Sequence, residues 1–243
     1  MLPVAFACLF ASANAYGATI DLGTLVANPS FEAGNQPVQP GDTVGCPVGW
    51  TCTGSPTPGF TSYTVTSAQY TAGSDGLTGG KIVPDGTHAA TSPTNVEGSG
   101  HLTQTGLGTY SSANTYVLSN LWVGTPSTLP SDNTTPTAPV GTIILYFTAN
   151  GLDIGSGFAI TVPTDGQWLQ VPTLTLTLPG IDVGASIGLD LFVDSTPVGG
   201  GSGNNRIANF DIMPATVATP EPASIAFLGM GLLGLATLRR RRS

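Results

Sequence analysis

Thr173-Leu-Thr-Leu-Thr-Leu178 alternates polar and apolar residues without interruption. A period of two sends successive side chains to opposite faces of a strand, so Leu174, Leu176 and Leu178 are expected to face a core. Similar segments surround this run at short spacing. They are Thr61–Gln69, Leu102–Thr105, Thr115–Val123, Thr142–Thr148, Phe158–Val162, Leu169–Leu178, Ser186–Val193 and Ile207–Met213. Gly and Pro, 33 and 20 of the 243 residues, punctuate them as turn formers do. Residues 124–141, rich in Pro, Ser and Thr, read as a surface excursion between two strands and not as a domain boundary. Only the two ends show a helical or continuous apolar pattern. The expected fold is all-β: a two-sheet jelly-roll sandwich of about eight to nine strands over residues 16–213.

Charge narrows the function. Charged residues make up 8% of the chain, against about 25% in a typical soluble domain. Low charge with many apolar residues argues against a disordered chain. Four of the six basic residues are Arg239 to Arg242. Between Tyr16 and Pro220 only Lys81 and Arg206 are basic, against 13 acids (all 14 but Glu221), a net charge of −11. Such a surface repels phosphate backbones, so nucleic acid is excluded as a partner. Cations and neutral ligands such as glycans remain.

The ends are built for export. Residues 1–15 are apolar, and Ala13-Asn14-Ala15 fits the small-x-small pattern of a signal-peptide cleavage site. No basic residue stands ahead of the apolar run, a departure from the usual signal peptide. At the other end, residues 214–222 form a linker ending in Pro220-Glu221-Pro222. Residues 223–238 are apolar and rich in small side chains, and 239–243 form a basic tail. Sixteen helical residues reach about 24 Å, short of the roughly 30 Å hydrocarbon core. That length suits a temporary hold in the membrane. Arg239, Arg240, Arg241 and Arg242 are expected to stay on the cytoplasmic side.

Pro-Glu-Pro, then Ala-Ser, a Gly-rich apolar helix and a terminal Arg cluster, resembles the PEP-CTERM sorting signal. The resemblance implies recognition and cleavage by an exosortase, a transient stay in the inner membrane, and delivery to the cell surface or an extracellular matrix.

Once the first 15 residues are removed, two cysteines remain, Cys46 and Cys52. An even count in an exported chain points to a disulfide closing a small loop. A metal would need further Cys or His nearby, and His88 and His101 are distant in sequence.

Several short motifs recur in a fixed order. Leu25-Val-Ala-Asn-Pro-Ser-Phe-Glu32 opens the body and Gly49-Trp50-Thr51 follows. Next come Pro84-Asp-Gly-Thr-His-Ala-Ala90, Leu102-Thr-Gln104, Tyr116-Val-Leu118 and Gln167-Trp168. Ile207-Ala-Asn-Phe-Asp-Ile212 closes it. The series, spanning about residues 24 to 213, resembles the galactose-binding-domain-like jelly rolls of carbohydrate-binding modules. In that family a structural calcium often sits near the first and last strands on hard oxygen ligands. The resemblance assigns Glu32 as its opening carboxylate. Where the closing motif usually carries an acid, this chain has Ala208, with Asp211 further along.

Catalytic patterns are sparse. A glycosidase needs two carboxylates flanking a sugar, but Asp75, Asp85 and Asp165 each precede a Gly and read as turn residues. Asp182, Asp190 and Asp194 read as a solvated face. The Ser-x-x-Lys and Gly-x-Ser-x-Gly nucleophile motifs are missing. Gly155-Ser-Gly157 and the glycines of 199–203 read as loops, since no helix follows to cradle a phosphate. His101 reads as a surface or packed side chain. Sugars are held by aromatic rings stacked on their C–H faces and by polar groups on their hydroxyls. Trp50, Tyr63 and Trp122 are the glycan-binding candidates, with Tyr70 and Tyr110 behind them. Trp168, at the start of a core strand, reads as core. The expectation is a non-catalytic, exported surface or matrix protein associated with exopolysaccharide. A carbohydrate-binding module proper and a secreted hydrolase are the alternatives.

Overall fold

The computed structural model describes residues 17–33, 46–54, 60–67, 69–70, 77, 81–92, 99–129, 134–163, 166–176, 180–194 and 206–213. The signal segment with Ala13 and Ala15, the Pro220-Glu221-Pro222 motif, the apolar stretch 223–238 and Arg239 to Arg242 lie outside them. So do Leu178 and the glycines of 199–203.

Thirteen strands run through the described residues. They are β1 Thr19–Asp21, β2 Thr51–Gly54, β3 Thr61–Thr64, β4 His88–Thr91, β5 Ser99–Thr109, β6 Thr115–Leu118 and β7 Leu121–Thr125. Then follow β8 Thr142–Ala149, β9 Leu152–Ile160, β10 Gln167–Gln170, β11 Leu174–Leu176, β12 Ser186–Asp194 and β13 Asn209–Ile212. Two five-stranded sheets form the sandwich, with orders β10-β7-β13-β4-β3 and β2-β5-β12-β8-β9. A small third sheet, β1-β6-β11, joins β1 and β6 in parallel.

The all-β sandwich agrees with the sequence, but the strands are more numerous than expected, some broken and others, such as β5 and β9, longer than the expected segments. Thr115–Val123 breaks into β6 and β7 because Asn120 takes a left-handed backbone, φ 58°. Leu169–Leu178 breaks into β10 and β11, which join different sheets. Pro172 lies in that break and has no N–H to give a ladder. Within β11, Leu174 and Leu176 pack against the core while Thr175 is exposed, as the alternation requires. The strand β4 is His-Ala-Ala-Thr, which carries no alternating or β-branched pattern. Its Ala89 and Ala90 are fully buried small residues where layers pack closely.

Apolar faces of the two large sheets meet in one core. Ile187, Leu189, Leu191 and Val193 of β12 and Ile143, Leu145 and Phe147 of β8 face Phe210 and Ile212 of β13 and Val123 of β7 within it. Phe60 and Phe210 pack ring to ring at 6.0 Å. A second, smaller cluster gathers Val65, Tyr70, Leu77, Val83, Ala89, Trp122 and Trp168. It lies on the other face of the first sheet, because Trp122 alternates with the core residues Leu121 and Val123. The 124–141 excursion folds back on itself, with Leu129 N–H donating to Thr135 O at 2.8 Å and Thr128 bridging Pro136. Cys46 and Cys52 form a disulfide with Cα atoms 5.6 Å apart, beside Trp50 at the entry to β2.

Candidate functional site

The opening motif makes a turn that ties three parts of the chain. Asn28 and Phe31 both take left-handed backbone, φ 54° and 58°. Asn tolerates this because its side chain bonds nearby backbone. Here Asn28 Oδ1 accepts from Ala33 N–H at 2.8 Å, and Nδ2 donates to Val48 O at 3.2 Å. Gln104, from the fourth motif, accepts from Ala27 N–H at 2.8 Å and donates to Gly49 O at 2.6 Å.

Glu32 then clamps the 85–88 turn. Its Oε1 accepts from the backbone N–H groups of Thr87 and His88, and its Oε2 faces His88 Nδ1 at 2.8 Å. Gly86 permits this approach: its φ is 63°, and a Cβ there would stand 2.1 Å from Glu32 Oε1. Burial pushes the Glu32 carboxyl up, but the bonds from Thr87 and His88 outweigh it and hold it below the usual value. A depressed carboxyl contributes stability above its unfolded value, near pH 4.3, and loses it as pH falls through the folded one. Glu32→Gln is therefore expected to cost on the order of 1–3 kcal/mol at neutral pH. The gap from the parent should close in acid, as read by urea unfolding at several pH values. A gap that persists unchanged into acid would contradict the charged clamp.

Next to the clamp, Asp211 of β13 is fully buried. Its Oδ2 accepts from Asp85 N–H at 2.7 Å, while Oδ1 is buried with no hydrogen-bond partner. Burial, with the charges of Asp85 and Glu32, pushes its carboxyl well up, against the backbone bonds that lower it. The expected calcium would use Glu32. Both Glu32 oxygens are spent on donors here, and the unspent buried oxygen belongs to Asp211. Among the described residues no group of three or more His, Cys, Asp and Glu side chains is placed to hold a metal. An uncompensated carboxylate fits a hard cation in its chemistry, whereas Glu32, as it is placed, does not offer a free oxygen to one.

The glycan-binding rings are placed differently from expectation. Trp50 is 7% exposed and packs on Phe31 at 5.5 Å. Trp122 is 7% exposed inside the second cluster. Both rings are consumed by packing, so neither offers a face to a sugar. Tyr70 is buried against Trp168, and Trp168 is core, as its sequence context indicated. Tyr110 is half-buried against Tyr116. The side chain of Tyr63 lies outside the described residues.

A different group of residues converges on the face of the β2-β5-β12-β8-β9 sheet turned away from the core. Alternation puts His101, Asp190, Phe192, Tyr146, Thr148 and Asp153 there, since their neighbours Leu102, Leu189, Leu191, Leu145 and Phe147 are core. Asp190 pairs with Thr103 of β5 and Tyr146 of β8, and Thr148 of β8 pairs with Asp153 of β9. Asp190 Oδ2 bonds His101 Nδ1 at 2.8 Å, and the His101 ring packs on Phe192 at 4.9 Å. Asp190 Oδ1 and Thr148 Oγ1 are buried and meet no partner. Burial first, then the charge of Asp190 and a hydrogen bond to it, push the exposed Asp153 carboxyl up, against the pull of His101. The solvated reading of Asp190 is thus corrected: it is 6% exposed. The available signal was its place inside Ile187–Val193, on the same face as Phe192.

Elsewhere an apolar cleft of about 430 Å³ lies between β9 and the β10–β11 edge, lined by Phe158, Ile160, Leu169, Val171 and Leu174 among others. It gathers no charged side chain.

Comparison with solved structures defines the class first. A Stig cyclase, Fisc from Fischerella sp. TAU, in complex with (3Z)-3-(1-methyl-2-pyrrolidinylidene)-3H-indole, superposes at TM-score 0.54. It is 15% identical over 76% of this chain and 92% of its own. A cyclase from the same organism in complex with 4-(1H-indol-3-yl)butan-2-one gives 0.54 at 16% identity, over 76% and 92% of the two chains. At such identity the likeness is one of fold: this chain is a β-sandwich of the same type. TmCBM61 in complex with β-1,4-galactotriose aligns at 0.40, with 14% identity over 78% of this chain and 94% of that one. No curated protein matches the chain. The sorting signal is particular: residues 218–242 match the PEP-CTERM protein-sorting motif, and the chain carries that motif. Among the described residues no helix is long and apolar enough to cross a membrane.

Proposed function

We propose that this is an exosortase-processed surface protein whose sandwich associates with exopolysaccharide without cutting it. The signal peptide ending at Ala15 directs export. The apolar stretch 223–238 holds the chain in the inner membrane until the exosortase trims it at Pro220-Glu221-Pro222. The body is then left at the cell surface or in the extracellular matrix. The observation that carries this reading is the sorting motif at 218–242.

Two features support the glycan association. The outer face of the β2-β5-β12-β8-β9 sheet joins half-buried rings, Tyr146 and Phe192, to hydroxyl-binding groups, His101, Thr103 and Asp190. Apolar walls with a few convergent polar groups are what a sugar site needs. Asp190 is 6% exposed and one of its oxygens is committed to His101, which supports binding without hydrolysis.

Exported protein passed over immobilised polysaccharide of its own host is expected to be retained, and the polymer to keep its length distribution. Failure to bind any host polysaccharide would remove the glycan association and leave the sorting scheme standing. Shortening of the polymer would overturn the non-catalytic reading.

A further inference from the structure

We propose that Thr64, His88 and Glu32 form an acyl-transfer site for small acyl esters, with Thr64 as nucleophile, His88 as its base and Glu32 positioning the base. This goes beyond the reading above, since an ester can be cleaved with every glycosidic bond of a polymer left intact.

The three side chains form one chain of hydrogen bonds. Thr64 of β3 and His88 of β4 stand directly opposite each other. His88 Nε2 lies 3.0 Å from Thr64 Oγ1, and His88 Nδ1 lies 2.8 Å from Glu32 Oε2. The chemistry of the groups decides where the protons are. An ionised carboxylate only accepts, so Glu32 Oε2 takes the Nδ1–H. Nε2 is then bare in the neutral imidazole, and the Thr64 hydroxyl must donate to it. A hydroxyl, its base and a group that fixes the base's tautomer make an activated nucleophile. Thr87 steadies the pair: its Oγ1 lies 2.9 Å from His88 Nδ1 and donates to Glu32 Oε2 at 3.3 Å. Glu32 Oε1 also accepts from the His88 N–H at 2.8 Å, so backbone and ring of the base are set by one carboxylate.

Substrate can reach the nucleophile. Thr64 is exposed, with His88 half-buried behind it. Among the described residues β3 is the last strand of its sheet. Val65 N–H points inward and donates to Thr87 O at 2.9 Å. Successive N–H groups alternate along a strand, so the Thr64 N–H points off the open edge. It is the donor for an oxyanion forming beside Oγ1. In the reaction, Oγ1 bonds to the acyl carbon as its proton passes to His88 Nε2. The bond from that carbon to the ester oxygen breaks, and the departing alcohol takes the proton from Nε2. Water then repeats the relay, releasing the carboxylic acid and restoring the Thr64 hydroxyl. The pair of His101 with Asp190 lacks the third member, since among the described residues no hydroxyl bonds its Nε2. No local motif announces the relay, because only the pairing of β3 with β4 brings Thr64 to His88.

The test uses the full chain in a neutral detergent, with 4-nitrophenyl acetate as substrate. The parent is expected to turn the ester over at a rate that saturates with substrate. Thr64→Val keeps the shape of an exposed side chain and should lose at least about a hundredfold in kcat, as should His88→Gln. Thr64→Ser should keep the activity, because the relay needs only the hydroxyl. Glu32→Gln should lower kcat with little change in KM, the mark of a lost orienting charge. The melting temperatures of Thr64→Val and Thr64→Ser are expected to match the parent. A fluorophosphonate ester should label the parent at Thr64, read by peptide mass, and leave Thr64→Val unlabelled. No turnover above the buffer rate, or equal turnover by the parent and Thr64→Val, would overturn the assignment. So would a label on another residue, or a Thr64→Ser protein that melts with the parent yet turns nothing over.

Discussion

With Pro220, Glu221 and Pro222 replaced by alanine, the chain is expected to stay uncleaved in the membrane fraction, its intact mass still including residues 223–243. The reason is conformational as well as chemical. Proline fixes φ, carries no N–H and pushes the preceding residue toward extended backbone. Pro-Glu-Pro therefore favours an extended backbone just ahead of the apolar stretch. Alanine has the highest helix propensity. Three alanines lift that restriction from the tripeptide, and the loss of Glu221 also removes its one charge. Pro220→Ala with Pro222→Ala, keeping Glu221, separates the two causes. Failure of cleavage there points to backbone extension, and normal cleavage points to the carboxylate. The expected effect in the triple variant is near-complete loss of the trimmed species. Unchanged trimming would remove the motif from the sorting scheme.

How much of this was legible in the sequence depends on the length scale of the signal. Alternation over a few residues reported faithfully on local geometry. Leu174 and Leu176 face the core, and the strand content is right. Continuity between strands was not legible. A single left-handed Asn120 and one Pro172 decide that adjacent segments enter different sheets. Both residues fit easily into an apolar run when read one dimension at a time. Side-chain partnerships between distant strands were hidden for a similar reason. Asp153 shares a sheet face with Asp190, Tyr146 and Thr148 only because β8 stands between β9 and β12. Aromatic residues misled in the opposite direction. Trp50 and Trp122 have the composition of a sugar platform, yet their surfaces are used up by Phe31 and by the second cluster. Composition identifies which rings exist, and only packing decides which are free. The sorting signal was legible because it is a linear motif, matched over residues 218–242.

Trp168→Ala is expected to cost about 4 kcal/mol in stability, a large share of the roughly 5–15 kcal/mol that holds a typical domain together. Trp168 is fully buried and holds the smaller cluster onto the first sheet. Its ring stacks on Tyr70 at 4.8 Å, and its Nε1 donates to Ile82 O at 3.1 Å. Removing it opens a large cavity, takes a donor from a carbonyl of the 81–88 segment and frees the Tyr70 ring. Tyr70 in turn accepts from Asn209 Nδ2 of β13 at 2.6 Å, so the loss reaches the closing strand. The seat beneath the stack is Gly124, where a Cβ would lie 2.8 Å from the Trp168 ring and 2.6 Å from the Tyr70 hydroxyl. Gly124→Ala should therefore destabilise by overpacking, by about 1–3 kcal/mol. The two changes are opposite in volume and act on one stack. In the double variant the added methyl fills part of the cavity, so its cost should fall below the sum of the two single costs. Urea midpoints at constant m-value measure all three. A Trp168→Ala protein within about 1 kcal/mol of the parent would mean that the 65–92 segment is held by its backbone bonds alone. Strict additivity in the double variant would mean that Gly124 is small for a reason other than the ring above it.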